Sequence, residues 1–227
     1  MNIIIEENNN NLKSKEKFEK DYYLNKLINY AISYASVSGL NTFINVMFYL
    51  KNMKDYDNQF YLFNMTYPDS ICEIEQIYRL FITWLPFEKY DLGELRGNFL
   101  ELLSYNILNK QYAECSIYRE SRVRIVDYIS HTWDIIVDDD ELSLYECKFS
   151  YQSLRRKHID QMIALMNKLN DLNHKVILVF YTPREKINRR LKYLQFNTKE
   201  KKYVGMINRF NIIDLDDFGR ENPFLMD

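Results

Sequence analysis

The spacing of apolar residues predicts that the first part of the chain is mainly helical. From Lys15 to about Ser38, apolar side chains recur every three or four positions, as on one face of an amphipathic helix, and a second helical run extends from Asn41 to Met53. Residues 54–70 are expected to form a connection with a short aromatic strand, followed by a helix over Ile71–Trp84. We therefore expect residues 15–90 to form a mainly helical N-terminal region.

From residue 91 onward the pattern changes to alternating helices and strands. A helix over residues 93–112 and a strand around Val123 and Ile125 precede a β-rich hairpin. A helix over residues 151–175, a buried strand, a short basic helix and a closing strand complete the chain. Residues 91–227 are thus predicted to form an α/β domain.

The hairpin predicted over Trp133–Phe149 carries most of the candidate chemistry. Its two β-rich runs are joined by an acidic turn, and a three-residue loop, Asp139–Glu141, would place Asp134 opposite Glu146. Because side chains alternate along a strand, Glu146 and Lys148 must share one face. An even loop length would separate the two carboxylates, so their meeting depends on an odd loop or a bulge.

Two carboxylates and a lysine on an apolar hairpin are costly to desolvate unless a cation lies beside them. A divalent metal held by Asp134 and Glu146 would remove that cost, and Lys148 could then face an anion such as a phosphodiester. Cys147, of opposite parity, should point into the core, and no histidine lies beside it in sequence to activate it as a nucleophile.

These residues resemble the PD-(D/E)xK nuclease family. The resemblance covers about residues 93–218 and includes the segments GNFLE, LYECKFS and NIIDLDDF, with the spacing D-x11-E-x-K. It is closest in pattern to the nuclease half of CRISPR-associated nucleases that are fused to a nucleotide sensor. This chain differs from them in having a helical first ninety residues instead of a Rossmann-like sensor, and Trp133 in place of the proline before the first acid.

The resemblance implies a restriction-endonuclease-like core, built from a helix, three antiparallel strands, a helix and a further strand. It implies that one or two Mg²⁺ or Mn²⁺ ions are held by Glu101, Asp134, Glu146 and the backbone carbonyl of Cys147. Lys148 would orient the attacking water and stabilise the transition state, and Gln161 would lie near that lysine. The implied activity is a metal-dependent endonuclease with DNA rather than RNA as substrate, acting in defence, mobile-element or repair processes.

The distribution of charge favours a nucleic-acid partner in one segment of the chain, whereas the net charge does not. The formal net charge is −2, from 30 Lys and Arg against 32 Asp and Glu, so the whole chain has no nucleic-acid signature. Between Arg155 and Lys192, however, ten basic residues stand against three acidic ones. A basic segment after a metal site favours contacts with a phosphate backbone, although a solvated helix face is the alternative. The candidates for nucleic-acid binding are Arg155, Arg156, Lys157, Arg189 and Arg190.

The N-terminus and the cysteines indicate in which cellular compartment the protein is expected. Residues 1–14 include four consecutive asparagines and are predicted to be a flexible leader, and their apolar run is too short for a signal peptide. No apolar run reaches the roughly 18 residues that a membrane span requires. The three cysteines, Cys72, Cys115 and Cys147, are widely spaced and form no CxxC pair, which indicates free thiols. A cytoplasmic protein without a membrane partner is expected.

Two other classes of function remain open from the sequence. One is a nucleic-acid-binding or partner-binding protein on a nuclease scaffold with little or no catalysis. The other is a helical interaction protein in which Glu146 and Lys148 form only an ion pair. A homodimer and a protein partner bound through residues 15–90 are also left open. Glu94 is the reserve candidate for the helix acid, and His131 is expected to be structural or exposed.

Overall fold

The computed structural model describes residues 3–112, 116–170, 172–196, 209–220 and 222–224. The first of these ranges contains β1 (Ile3–Glu7), α1 (Asn9–Glu19), α2 (Tyr22–Ser33), α3 (Leu40–Met47), α4 (Met53–Thr66), α5 (Ile71–Trp84), α6 (Pro86–Lys89) and α7 (Leu92–Gln111). The later ranges contain β2 (Ser116–Ile125), β3 (Tyr128–Ile129), β4 (Trp133–Asp138), β5 (Leu142–Lys148), α8 (Arg156–Lys168), β6 (His174–Phe180), α9 (Arg184–Phe196) and β7 (Asn211–Ile213).

The described strands form one mixed seven-stranded sheet in the order β1-β2-β4-β5-β6-β7, with β3 paired to β2. Neighbours from β1 to β5 run antiparallel, whereas β5, β6 and β7 run parallel. The predicted hairpin is confirmed, because Asp138 pairs with Leu142 and leaves a three-residue loop, Asp139–Glu141. The helix α8 provides the crossover that two parallel neighbours such as β5 and β6 require.

Each face of the sheet packs against its own hydrophobic core. One core joins the sheet to α2, α3, α5 and α7, and its sheet side is formed by Ile135, Val137, Tyr145, Cys147, Ile177 and Val179. The other joins the opposite face to α8 and α9, with Ile136, Leu144, Leu178 and Phe180 on the sheet side. Successive side chains of β4 and β5 therefore enter different cores. Cys147 lies in the first core, as its parity predicts.

The helical N-terminal region differs from the prediction in three places, one of which is that the helical run expected to reach Met53 ends at Met47. The helix expected over Lys15–Ser38 is two helices, because Asp21 caps α2 by accepting a hydrogen bond of 2.8 Å from the Leu24 backbone N–H. The connection expected over residues 54–70 is wrong, since most of it is α4. That helix buries Tyr56 and Phe63, whose seven-residue spacing puts both on one helical face, and burial there outweighs their strand preference.

The expectation of a flexible leader over residues 1–14 is also corrected. Ile3–Glu7 form β1, which pairs antiparallel with residues 121–125 of β2, and α1 follows directly. Ile3 and Ile5 are partly buried against the core beneath α8 and α9. This pairing joins residues more than a hundred positions apart, so the local composition of the segment does not reveal it.

Among the described residues, no helix combines the length and the hydropathy needed to cross a bilayer.

The shared core predicts that the helical region and the sheet unfold together. Phe99 on α7 is fully buried and contacts the Phe48, Phe149 and Tyr181 rings at centroid distances of 4.9, 6.3 and 5.3 Å. We expect Phe99→Ala to lower the free energy of unfolding by about 3–5 kcal/mol while the denaturant curve keeps a single transition. Tyr61→Ala, at a side chain that is 69% exposed, should change it by less than about 0.5 kcal/mol. Two transitions, of which Phe99→Ala shifts only one, would contradict a shared core.

Candidate metal and catalytic site

Three acidic residues lie in one row across neighbouring strands. The pairs Arg119 with Ile135 and Ser121 with Trp133 bracket Glu120 and put it beside Asp134. The next pair across the hairpin, Ile135 with Tyr145, puts Asp134 opposite Glu146. The predicted meeting of Asp134 and Glu146 thus follows from the register, and β2 brings in a further carboxylate.

Glu120 is the acid that sequence reasoning missed. Its φ of 46° lies in the left-handed region, which costs a residue other than glycine about 1–3 kcal/mol. This conformation interrupts the alternation of β2 and turns the side chain away from where a regular strand would place it. Glu120 is only 4% exposed. A strained, buried acid in a strand next to Asp134 is a sign of a functional site.

Three carboxylates converge at this point. Glu101 from α7, Glu120 and Asp134 each offer one oxygen, and the three oxygens lie within 4.8 Å of one another. Burial raises the pKa of Glu101 and of Asp134, because each charged form has lost most of its water. A buried set of hard oxygen donors is what Mg²⁺ or Mn²⁺ binds, so the residues present fit such an ion.

The N-terminal segment supplies direct partners for this cluster. The Lys15 ammonium of α1 forms ion pairs with both Glu101 and Glu120. Asn11 donates from its side chain to Glu120 Oε2 at 2.9 Å, and the Asn8 backbone N–H donates to the Glu120 carbonyl at 2.7 Å. Two of the asparagines that suggested a flexible leader therefore hold Glu120 in place. No local pattern in the sequence signals these contacts.

Lys148 lies between the two predicted acids of the hairpin. Its Nζ is 2.6 Å from Glu146 Oε1, 3.8 Å from Asp134 Oδ2, and donates to the Cys147 carbonyl at 3.1 Å. Asp134 is fixed from the other side by a 2.6 Å hydrogen bond from the Cys147 backbone N–H. Burial opposes the charge of Lys148, but Asp134 and Glu146 outweigh it and raise its pKa. Lys148 is therefore a fixed cation next to the carboxylate cluster.

Glu146 is held as an anion. Burial alone would raise its pKa, yet Lys148 and His131 more than offset this and lower the pKa to about 2. His131 Nε2 lies 3.4 Å from Glu146 Oε2, and the ring packs on Trp133 with centroids 4.4 Å apart. Neither ring nitrogen of His131 has a hydrogen-bond partner among the described residues. His131, expected to be structural or exposed, is largely buried and adjoins the site.

The other candidate residues are either exposed or paired with groups outside the carboxylate cluster. Gln161 is exposed on α8, and Glu94 forms an exposed ion pair with Lys17 at 3.1 Å. Of the basic candidates, Arg156 and Arg189 pair with acids of their own helices, whereas Arg190 donates to the Leu154 carbonyl at 2.8 and 3.0 Å. Arg155 and Lys157 are exposed at the start of α8. Cys115 lies outside the described residues.

Comparison with known proteins gives no named family. No family model matches the sequence, and no curated protein matches it. Among solved structures, protein VC1899 from Vibrio cholerae is 13% identical with a TM-score of 0.49, covering 98% of this chain and 57% of that one. Can2 from Sulfobacillus thermosulfidooxidans, in complex with cyclic tetra-adenylate, is 11% identical with a TM-score of 0.38, covering 81% and 52%. This chain spans little more than half the length of either protein.

The environment of His158 predicts a measurable pH dependence of stability. Partial burial and the nearby Lys148 ammonium lower the pKa of His158 to about 4, with Lys157 acting in the same direction and Glu146 in the opposite one. In the unfolded chain the pKa is about 6.5, so the unfolded state binds the proton more readily. His158 therefore contributes a loss of stability as the pH falls from about 6.5 towards 4.

We expect His158→Gln to remove that contribution. The difference in melting temperature, variant minus wild type, should rise as the pH is lowered from 7.5 to 4. Asn167→Ala, at an exposed position of α8 that carries no titrating group, serves as the control and should not reproduce the trend. A difference that stays constant across this pH range would contradict the assigned environment of His158.

Proposed function

We propose that this protein is a metal-dependent nuclease that hydrolyses phosphodiester bonds. The observation that carries the proposal is the convergence of Glu101, Glu120 and Asp134 next to the Lys148 ammonium. The succession of α7, the antiparallel strands β2, β4 and β5, then α8 and parallel β6 supports a restriction-endonuclease-like core of the PD-(D/E)xK type. DNA rather than RNA is the proposed substrate.

The metal would be held by the three converging carboxylates. Glu101, Glu120 and Asp134 fit Mg²⁺ or Mn²⁺ by donor type and spacing. Glu146 and the Cys147 carbonyl, which the resemblance implies as ligands, adjoin this cluster through Lys148. When bound, such an ion lowers the pKa of a water molecule and offsets the charge that builds up on the phosphate.

Lys148 would act as an electrostatic group rather than as a base. Its raised pKa keeps Nζ protonated at neutral pH, so it can donate a hydrogen bond but does not take up a proton. Glu146 and the Cys147 carbonyl fix the direction of that ammonium. A preorganised cation of this kind stabilises the negative charge that develops in the transition state and can orient the attacking water. Glu146 would thus serve mainly to position Lys148.

Nuclease activity should require the cluster and the lysine. Plasmid, linear duplex, single-stranded DNA and RNA are offered as substrates, and we expect wild-type protein to cleave DNA in Mg²⁺ or Mn²⁺ but not in EDTA. Asp134→Asn, Glu120→Gln and Lys148→Ala should each lower the cleavage rate by about 100-fold or more. The first two remove the charge of a proposed metal ligand, and the third removes the cation that would face the reacting phosphate. Glu94→Gln, on the exposed part of α7, is the matched control and should retain activity.

The outcome also separates the alternatives. Metal-dependent cleavage that persists in all three variants would exclude this site as the catalytic centre. Salt-sensitive binding without cleavage in any metal would favour a nucleic-acid-binding protein on a nuclease scaffold. Neither binding nor cleavage at low salt would favour an interaction protein.

The basic residues of α8 and α9 should separate into two groups. Arg155 and Lys157 are exposed, so each Ala variant should weaken nucleic-acid binding and reduce the slope of log K against log salt by about 0.7–0.9. Arg190→Ala should instead lower thermal stability, because Arg190 caps the Leu154 carbonyl. Fluorescence anisotropy at several salt concentrations, with melting curves alongside, checks both. Equal salt slopes for all three variants would contradict this division.

A further inference from the structure

The Lys15 ammonium shares two carboxylates with the proposed metal site. Glu101 and Glu120 are both ion-paired with Lys15, and both contribute oxygens to the cluster with Asp134. The Lys15 side chain is only 16% exposed, so the ammonium is held inside the protein and not at its rim. It reaches the site from α1, whereas Lys148 reaches it from β5.

Both oxygens of Glu120 already have partners. Oε1 accepts from Lys15 Nζ, and Oε2 accepts from the Asn11 side chain at 2.9 Å. Glu101 shares the same lysine, because its Oε2 also accepts from Lys15. A metal ion that draws on these two carboxylates would share them with Lys15, and the two cations repel each other at such short range.

We propose that Lys15 is an internal cation that competes with the divalent metal for Glu101 and Glu120, and so sets the metal concentration at which the site loads. The inference rests on the proposed function, because the metal is the one proposed there. Lys15 is a positioning residue in this scheme. It keeps the two carboxylates together before loading and gives way as the metal binds.

Competition also ties the N-terminal segment to metal loading. Asn11 and Lys15 hold the Glu120 carboxylate. Asn8 holds the Glu120 carbonyl through its backbone N–H and donates from its side chain to Thr132 Oγ1 at 3.2 Å. Their segment is anchored independently by the pairing of β1 with β2. The anchor stays when Lys15 is removed, so a substitution at Lys15 changes the competition without detaching the segment.

The test is the affinity for Mn²⁺ itself, measured by calorimetry in the absence of nucleic acid. Lys15→Met keeps the length of the side chain and removes its charge, and we expect it to lower the Kd for Mn²⁺ by at least about tenfold, or 1.4 kcal/mol. In EDTA the same variant should melt at a lower temperature than wild type, because the carboxylates have lost their cation. Added Mn²⁺ should then raise its melting temperature by more than it raises that of wild type.

Lys17→Met is the matched control on the same helix. Lys17 pairs with Glu94 at 3.1 Å, but the two side chains are 52% and 47% exposed and lie outside the cluster. Its removal should leave both the Mn²⁺ affinity and the response of the melting temperature unchanged. Any common effect of changing α1 would appear in both variants and be recognised as such.

A second pair of variants keeps the test decisive if Lys15→Met does not fold. Glu101→Gln alone and Glu101→Gln combined with Lys15→Met differ only in the lysine, and Glu120 remains as the shared carboxylate. We expect Mn²⁺ to bind the double variant more tightly than the single one. Equal or weaker binding in the variant lacking Lys15, in either comparison, would overturn the proposal and identify Lys15 as a group that only supports the ligands.

The experiment distinguishes failure of the proposed competition from failure of the proposed nuclease activity. Unchanged Mn²⁺ affinity together with metal-dependent cleavage by wild type would overturn the competition alone. Tighter Mn²⁺ binding without Lys15, in a protein that cleaves no nucleic acid, would retain the competition and remove the nuclease. Failure of every protein, wild type included, to bind Mn²⁺ would overturn both.

Discussion

Carboxylates that are buried side by side repel one another and have lost the water that would stabilise their charge. Cations held beside Glu101, Glu120 and Asp134 offset this cost, and two parts of the chain supply them. Lys15 comes from the N-terminal helix and Lys148 from the central hairpin. Much of the architecture can be understood as the means of bringing these five side chains to one point.

The two hydrophobic cores provide the rigidity that this arrangement needs. One core fixes α7, and with it Glu101, against the sheet. The other fixes α8 and α9 against the opposite face, next to the parallel strands. Since Asp134, Glu146 and Lys148 stand on strands between the two cores, their backbone has little freedom to move apart. Packing thus positions the backbone that carries these charged groups.

The hairpin could be predicted from the sequence because its information is local. A strand alternates with period two, so a loop of three residues decides which side chains meet, and Asp134, Glu146 and Lys148 follow from that count. Glu120 could not be found in this way, because its left-handed backbone conformation breaks the alternation of β2. Lys15 and the asparagines of α1 were hidden for another reason, since their partners lie about a hundred residues away. The aromatic residues of α4 favour a strand by their intrinsic preference, which predicts the wrong element. Burial of two of them on one helical face stabilises the helix by more than that preference favours a strand.

The dependence of the cluster on distant segments has a consequence during synthesis on the ribosome. Lys15 emerges early and Glu101 much later, but Glu120, Asp134 and Lys148 follow only with the strands of the sheet. Until then β1 has no partner strand, because Ile3 pairs with Ile125. A nascent chain or a prematurely terminated fragment that ends before Ser116 therefore carries one acid and one lysine of the site and no sheet on which to place them. Whatever chemistry the cluster performs can begin only after β5, which carries Lys148, has been synthesised.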